Sequence, residues 1–204
     1  MAHVEVLVEE PSAEAALQRV IPRILPSSSF LIHPFSDKRD LLNKLPQRLD
    51  GYSRWLPADW RIVVLLDRDR DDCRELKSQL DEWAAQRLLV TPSHAQRNRP
   101  ANLVNRLAIE ELEAWFFGDI EALRAAYPRV PANLGKRAPY RDPDAIAGGT
   151  WEALERVLRK AGYYPTGLPK IEVARRVSEY MDPDRNHSRS FQVFRDGLRR
   201  LVGA

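Results

Sequence analysis

The chain reads as an α/β protein: a parallel sheet of four to five strands flanked by helices, then a helical C-terminal extension. Three observations predict this. Strand-length apolar runs alternate with segments of helical period as far as residue 118. Arg61-Ile62-Val63-Val64-Leu65-Leu66 is apolar without alternation, as a strand buried on both faces of a parallel sheet must be. Beyond Asp119 the strand signals stop. The organisation expected is an α/β domain over residues 1–118, with a helical extension over 119–204 packed on it.

His3-Val4-Glu5-Val6-Leu7-Val8 is the first strand, ending at Glu9-Glu10. Pro11-Ser12 opens a helix with Ser12 as the expected N-cap, carrying Leu17, Val20 and Ile21 on one side. Ser29–His33 is a second strand, and residues 38–50 a helix through Leu41, Leu45 and Leu49. The third strand runs up to Asp67. Residues 72–86 place Leu76, Leu80 and Trp83 on one helical face. Leu88-Leu89-Val90 is a short fourth strand and residues 103–109 a fifth, leading into an acidic helix at Glu110-Glu111-Leu112-Glu113-Ala114-Trp115. A short helix over 119–127 precedes an irregular crossing at 128–149, marked by four prolines and Gly148-Gly149. Thr150 is the expected cap of the next helix, and further helices lie near 170–180 and 190–202.

Composition sets outer limits. Hydrophobic content of 44% and charged content of 30% suit a soluble globular chain. No segment approaches the ~20 apolar residues of a membrane span. No basic start followed by an apolar run marks a signal peptide, and Cys73 is the single cysteine, so a disulfide framework and a multi-cysteine zinc site are excluded. The expected location is the cytoplasm. Residues 1–134 carry 18 Lys/Arg against 20 Asp/Glu, whereas residues 135–204 carry 14 against 9. The basic second part suits either a phosphate-facing surface or a solvated helical one.

The chemistry gathers on acidic residues at strand ends. Asp67 and Asp69, two apart at the end of a buried strand, are able to point the same way at the sheet edge where ligands bind in parallel α/β proteins. Glu9-Glu10 ends the first strand, and Glu110, Glu111 and Glu113 follow the fifth. Such a cluster repels itself unless a cation binds, and hard carboxylate oxygens suit Mg²⁺ or Mn²⁺. Asp71-Asp72 and Glu110-Glu111 also suit a helix start, where acidic side chains complement the dipole. Glu111 and Glu113 are two apart on the expected helix, so only one of them faces the edge.

Glu9 after the first strand and Asp67-x-Asp69 after the third resemble the Toprim superfamily. Glu14 matches the second acidic residue of its nuclease-like members, whose pattern has a glycine where this chain has Glu10. A closer resemblance covers nearly the whole chain. Leu66-Asp67-Arg68-Asp69 with Asp71-Asp72-Cys73, Glu111-Leu112-Glu113-Ala114-Trp115, and Asn186-His187-Ser188-Arg189-Ser190-Phe191 together resemble domain-of-unknown-function family 4276. The resemblance implies a Toprim-like Rossmannoid fold and a Mg²⁺-dependent (or Mn²⁺-dependent) nuclease. It also implies an effector role in bacterial anti-phage defence beside an AAA/ABC-type ATPase.

On that reading Glu9, Asp67 and Asp69 are catalytic. Glu9, Asp67, Asp69, Asp71, Glu111 and Glu113 are the candidate metal ligands. Glu14, Ser188, Arg189 and Ser190 support them or hold phosphate, although Ser188 or Ser190 equally suits a helix cap. Arg97 and Arg99 lie in a polar loop and suit either a nucleic-acid backbone or water. Lys170 and Arg175-Arg176 read as exposed helix charges. Trp115, Trp151 and Phe191 read as core. The partners expected are nucleic acid and an ATPase, with no membrane. Two other classes stay open: a non-catalytic module binding an ATPase or nucleic acid, and another metal-dependent phosphate enzyme.

Overall fold

The computed structural model describes residues 2–69 and 71–203. Four strands form one all-parallel sheet: β1 (His3–Val8), β2 (Ser29–Pro34), β3 (Trp60–Asp67) and β4 (Leu103–Ala108), in the order β2-β1-β3-β4. The chain leaves β1 to one side to build β2, then crosses back to build β3 on the other. The crevice between the carboxyl ends of β1 and β3 is therefore the switch point of the topology, where open α/β sheets bind ligands.

The run Ile62–Leu66 is apolar throughout because each face of β3 meets a different layer. Ile62, Val64 and Leu66 pack with Leu7 against α2 (Lys38–Trp55) and α3 (Cys73–Ala85), through Leu41, Leu45, Leu49 and Leu80. Val63 and Leu65 face the larger core with Val4, Val6 and Val8. That core also takes α1 (Pro11–Ile24), α4 (Ala114–Phe117), α5 (Ile120–Ala126), α6 (Thr150–Lys160), α7 (Lys170–Ser178) and α8 (Arg189–Val202). The C-terminal helices thus supply one covering layer of the sheet and share its hydrophobic interior.

Local chemistry sets several ends. Asp37 caps α2 by accepting the Asp40 N–H at 2.7 Å, and Asp72 caps α3 by accepting those of Arg74 and Glu75 at 2.8 and 3.0 Å. Ser188 caps α8, accepting the Phe191 N–H at 3.2 Å. The 128–149 crossing is held by three short 3₁₀ turns.

Four sequence expectations need correction. Residues Leu88-Leu89-Val90 are not a strand: Leu88 takes a left-handed φ of 59° and is exposed, and Val90 is pinned across the start of β4 by Asn102. The acidic stretch 110–113 is a turn and not a helix. Glu110 has a φ of 63°, and its carbonyl accepts the Asp69 N–H at 2.9 Å, so helical winding begins only at Ala114. Helix α1 is capped at Glu10, with Pro11 in its first turn, and Ser12 instead donates its hydroxyl to Glu10. Gly149, at φ 85°, occupies the cap position expected for Thr150.

Candidate active site at the carboxyl edge

Parallel register brings the sequence-distant acids together. Val8 pairs with Leu65, so Glu9 emerges beside the last residues of β3. Its carboxylate reaches across and accepts the main-chain N–H of Asp67 at 3.1 Å. Asp67 pairs with Ala108 at the end of β4, two residues before the turn that carries Glu113. Glu113 is 1% exposed, and its Oε2 is buried without a hydrogen-bond partner among the described residues.

The electrostatics follow from that convergence. Burial pushes Glu9 up to about 7, and the charges of Asp69 and Glu10 add to the rise against the Asp67 N–H and Lys38. Burial likewise pushes Glu113 to about 7, against the attraction of Lys170 and with the repulsion of Glu111. Asp67 is held well above the usual carboxylate range by burial first, then by Glu113, Glu9, Glu10 and Asp69. Asp67 therefore feels the charges of both Glu9 and Glu113, and Glu10 acts on all three carboxyls.

Two lysines flank them. Nζ of Lys38 lies 2.7 and 3.0 Å from the carbonyls of Asp67 and Arg68, 3.1 Å from Asp69 and 2.6 Å from Asp71. Burial works against its charge, but Asp71 and Asp69 hold its pKa above the usual lysine value. Lys170, at the start of α7, lies 3.5 Å from Glu10 and 5.0 Å from the ring centre of Trp151. Burial opposes the Lys170 charge too, while Glu113, Glu10, Glu111 and Asp67 hold its pKa up. Lys170 belongs to this site, which sequence reading missed because lysine at a helix start looks like any solvated charge.

The arrangement redistributes the expected ligands. Asp69 and Asp71 are engaged by Lys38, and the left-handed φ of 51° at Asp69 turns the chain out of the strand, so these two do not form an open pair with Asp67. Glu111 accepts the Thr150 hydroxyl at 2.9 Å and the Trp151 N–H at 2.8 Å, which makes it the cap of α6. Glu14 sits half-buried in the first turn of α1, and no hydrogen bond or ion pair ties its carboxylate to the cluster among the described residues.

The C-terminal motif does structural work. The hydroxyls of Ser188 and Ser190 lie 2.9 and 2.6 Å from Asp144, which also accepts the N–H groups of Arg189 and Ser190. Both serines are buried and engaged, so they do not present donors to a phosphate; the Arg189 side chain is exposed. Asn186 donates to the Trp115 carbonyl at 2.8 Å, and a side chain at Gly118 would collide with it.

The carboxyl group fits a hard divalent cation in its chemistry. It offers all-oxygen donors, an orphaned buried Oε2 on Glu113, and two glutamates whose charges are incompletely balanced by protein. Among the described residues no three His, Cys, Asp or Glu side chains stand close enough to hold a metal ion as placed, so Glu9, Asp67 and Glu113 would have to change rotamer to share one.

A family model described as a domain of unknown function (DUF4276) matches residues 8–199. The chain belongs to that family. The match runs from the end of β1 to α8, and so takes in the carboxyl edge and the Asn186–Ser190 anchor as well. No curated protein and no solved structure matches the chain. No helix among the described residues is long and apolar enough to cross a membrane.

Proposed function

We propose that this DUF4276 chain is a metal-dependent phosphodiester hydrolase of Toprim type, cleaving nucleic acid with Mg²⁺ or Mn²⁺. One observation carries the reading. Glu9, Asp67 and Glu113 converge at the β1/β3 switch point, and Glu9 and Glu113 are both pushed to about 7. A carboxyl with a pKa near the working pH is matched to general acid–base chemistry.

Glu9, Asp67 and Glu113 would hold the ion. When bound, the metal supplies polarisation of a phosphoryl oxygen and counter-charge for the acids. Glu9 is the residue to accept a proton from an attacking water or return one to a leaving oxygen, being half-buried and fixed by the Asp67 N–H. Lys170 lies beside the acids and suits a non-bridging oxygen of a phosphate, whereas the donors of Lys38 are taken by Asp67, Arg68, Asp69 and Asp71. The resemblance noted above adds the biological part of the proposal: a cytoplasmic effector in phage defence, working with an AAA/ABC-type ATPase.

The test is incubation with plasmid DNA and with RNA, in Mg²⁺ or Mn²⁺, with and without EDTA. The reading expects metal-dependent cleavage that Asp67→Asn and Glu9→Gln abolish. Cleavage that survives both substitutions, or no cleavage of either polymer, overturns it. Lys38 favours a second reading, since it already neutralises Asp69 and Asp71. In that reading the chain is a non-catalytic module binding an ATPase or nucleic acid, and tight partner binding without cleavage is its signature.

A further inference from the structure

Beside the outer strand of the sheet, the 92–101 loop, β4 and the end of α8 enclose a cleft of about 450 Å³. Arg97, Arg106 and Arg200 line it together with Gln96, and no carboxylate does so among the described residues. Arg106 is half-buried on β4. Its Nε donates to the Val193 carbonyl at 3.1 Å and its Nη1 to the Asn105 carbonyl at 3.0 Å, leaving Nη2 without a bond among the described residues. Burial and the nearby Arg200 charge both weigh against its protonated form. The acid that offsets them, Asp81, is already bonded by Lys77 and Asn105.

The helix makes room for this guanidinium. A β-carbon on Gly197 would lie 2.5 Å from both Nε and Nη2 of Arg106. Glycine inside a helix costs about 1 kcal/mol relative to alanine, yet α8 carries one where a guanidinium passes. Arginine is the side chain suited to planar, multidentate recognition of phosphate. Arg106 and Arg200 repel one another here, and the two acids that feel them, Asp81 and Asp196, stand outside the cleft lining, which leaves the cleft itself for an anion.

We propose that this cleft is an anion site that takes a phosphoryl group, with Arg97, Arg106 and Arg200 as its donors. Its lining shares no residue with the carboxyl cluster, and it stands or falls independently of the cleavage reading. The phosphoryl group belongs either to a small molecule or to a nucleic-acid backbone, and two probes separate these sources.

The full chain is titrated in EDTA with inorganic phosphate by calorimetry, and with a short fluorescein-labelled single-stranded oligonucleotide by anisotropy. Arg97→Ala/Arg200→Ala removes two exposed guanidiniums that make no side-chain bonds among the described residues, so the fold is expected to survive; Arg54→Ala on α2 is the control. Phosphate binding weakened about tenfold by the double variant but not by the control assigns a small-molecule phosphate site. Oligonucleotide binding alone, weakened likewise and losing steepness in its salt dependence, assigns a backbone contact. Gly197→Ala displaces Arg106 and is expected to weaken whichever probe binds. Absence of binding by both probes, or equal binding by the double variant and wild type, overturns the proposal.

Discussion

The carboxylate of Glu9 accepts the main-chain N–H of Asp67 at 3.1 Å, stitching the end of β1 to the end of β3 where the order of the strands reverses. The bond fixes one Glu9 oxygen against the main chain of Asp67, and the Glu9 charge helps hold the Asp67 carboxyl above its usual range. Residues 58 positions apart thereby become one chemical group.

This coupling gives the protein an unusual acid dependence. A carboxyl whose folded pKa exceeds its unfolded value holds its proton more tightly when folded. Glu9 and Glu113 rise from 4.5 to about 7, so their contribution to stability is complete below about pH 4.5 and is lost as pH rises through 7. Thermal unfolding in EDTA should show this part of the melting temperature falling between those values. Mg²⁺ or Mn²⁺ should restore it at pH 8.

Removing one acid should relieve the rest. Asp67→Asn and Glu113→Gln each delete a charge from a repelling, buried group. At pH 8 without metal each variant is expected to match or exceed wild type, by about 1–2 kcal/mol for Glu113→Gln. That corresponds to a few degrees in melting temperature for a chain of this size. The same Asp67 variant is expected to lose cleavage entirely, a combination that separates a functional residue from a structural one.

Lys38 should behave in the opposite sense. It holds two carbonyls and two carboxylates at once, so Lys38→Met is expected to destabilise by about 1–3 kcal/mol in urea unfolding. It also frees Asp69 and Asp71. Calorimetric titration with Mn²⁺ should then show tighter binding than wild type.

Asp144 makes the C-terminal anchor. It accepts two hydroxyls and two N–H groups at the start of α8, where the helix dipole favours a negative charge. Asp144→Ala is expected to cost about 1–3 kcal/mol, since it takes the charged acceptor from two buried hydroxyls and from the first N–H groups of α8. Urea unfolding measures this, and the effect should be the same with and without divalent cation.

The sheet was legible because burial on both faces leaves a mark that single residues carry: Ile62 through Leu66 have no polar member. The place of Glu9 and Asp67 in the fold was legible for a related reason, since a carboxylate at the end of an apolar strand stands at the carboxyl edge of a parallel sheet. Periodicity could not reveal what neighbours do with an exposed acid. Asp69 and Asp71 look like ligands until Lys38, from α2, is seen to bind them. Glu111 and Glu113 differ only in that one meets the start of α6 and the other stays buried and unpartnered. Ser188 and Ser190 looked like phosphate donors because Asp144, in an irregular crossing, gives no sequence sign of where it will lie. Leu88–Val90 is apolar enough for a strand, but it is used as a short tether to Asn102.

The most direct measurement is anomalous scattering from crystals of the full chain soaked in Mn²⁺. A peak between Glu9, Asp67 and Glu113, lost in Asp67→Asn, is the result expected. An empty edge at saturating Mn²⁺, with Lys38 and Lys170 still against the acids, would contradict the claim that these carboxyls exist to hold a metal.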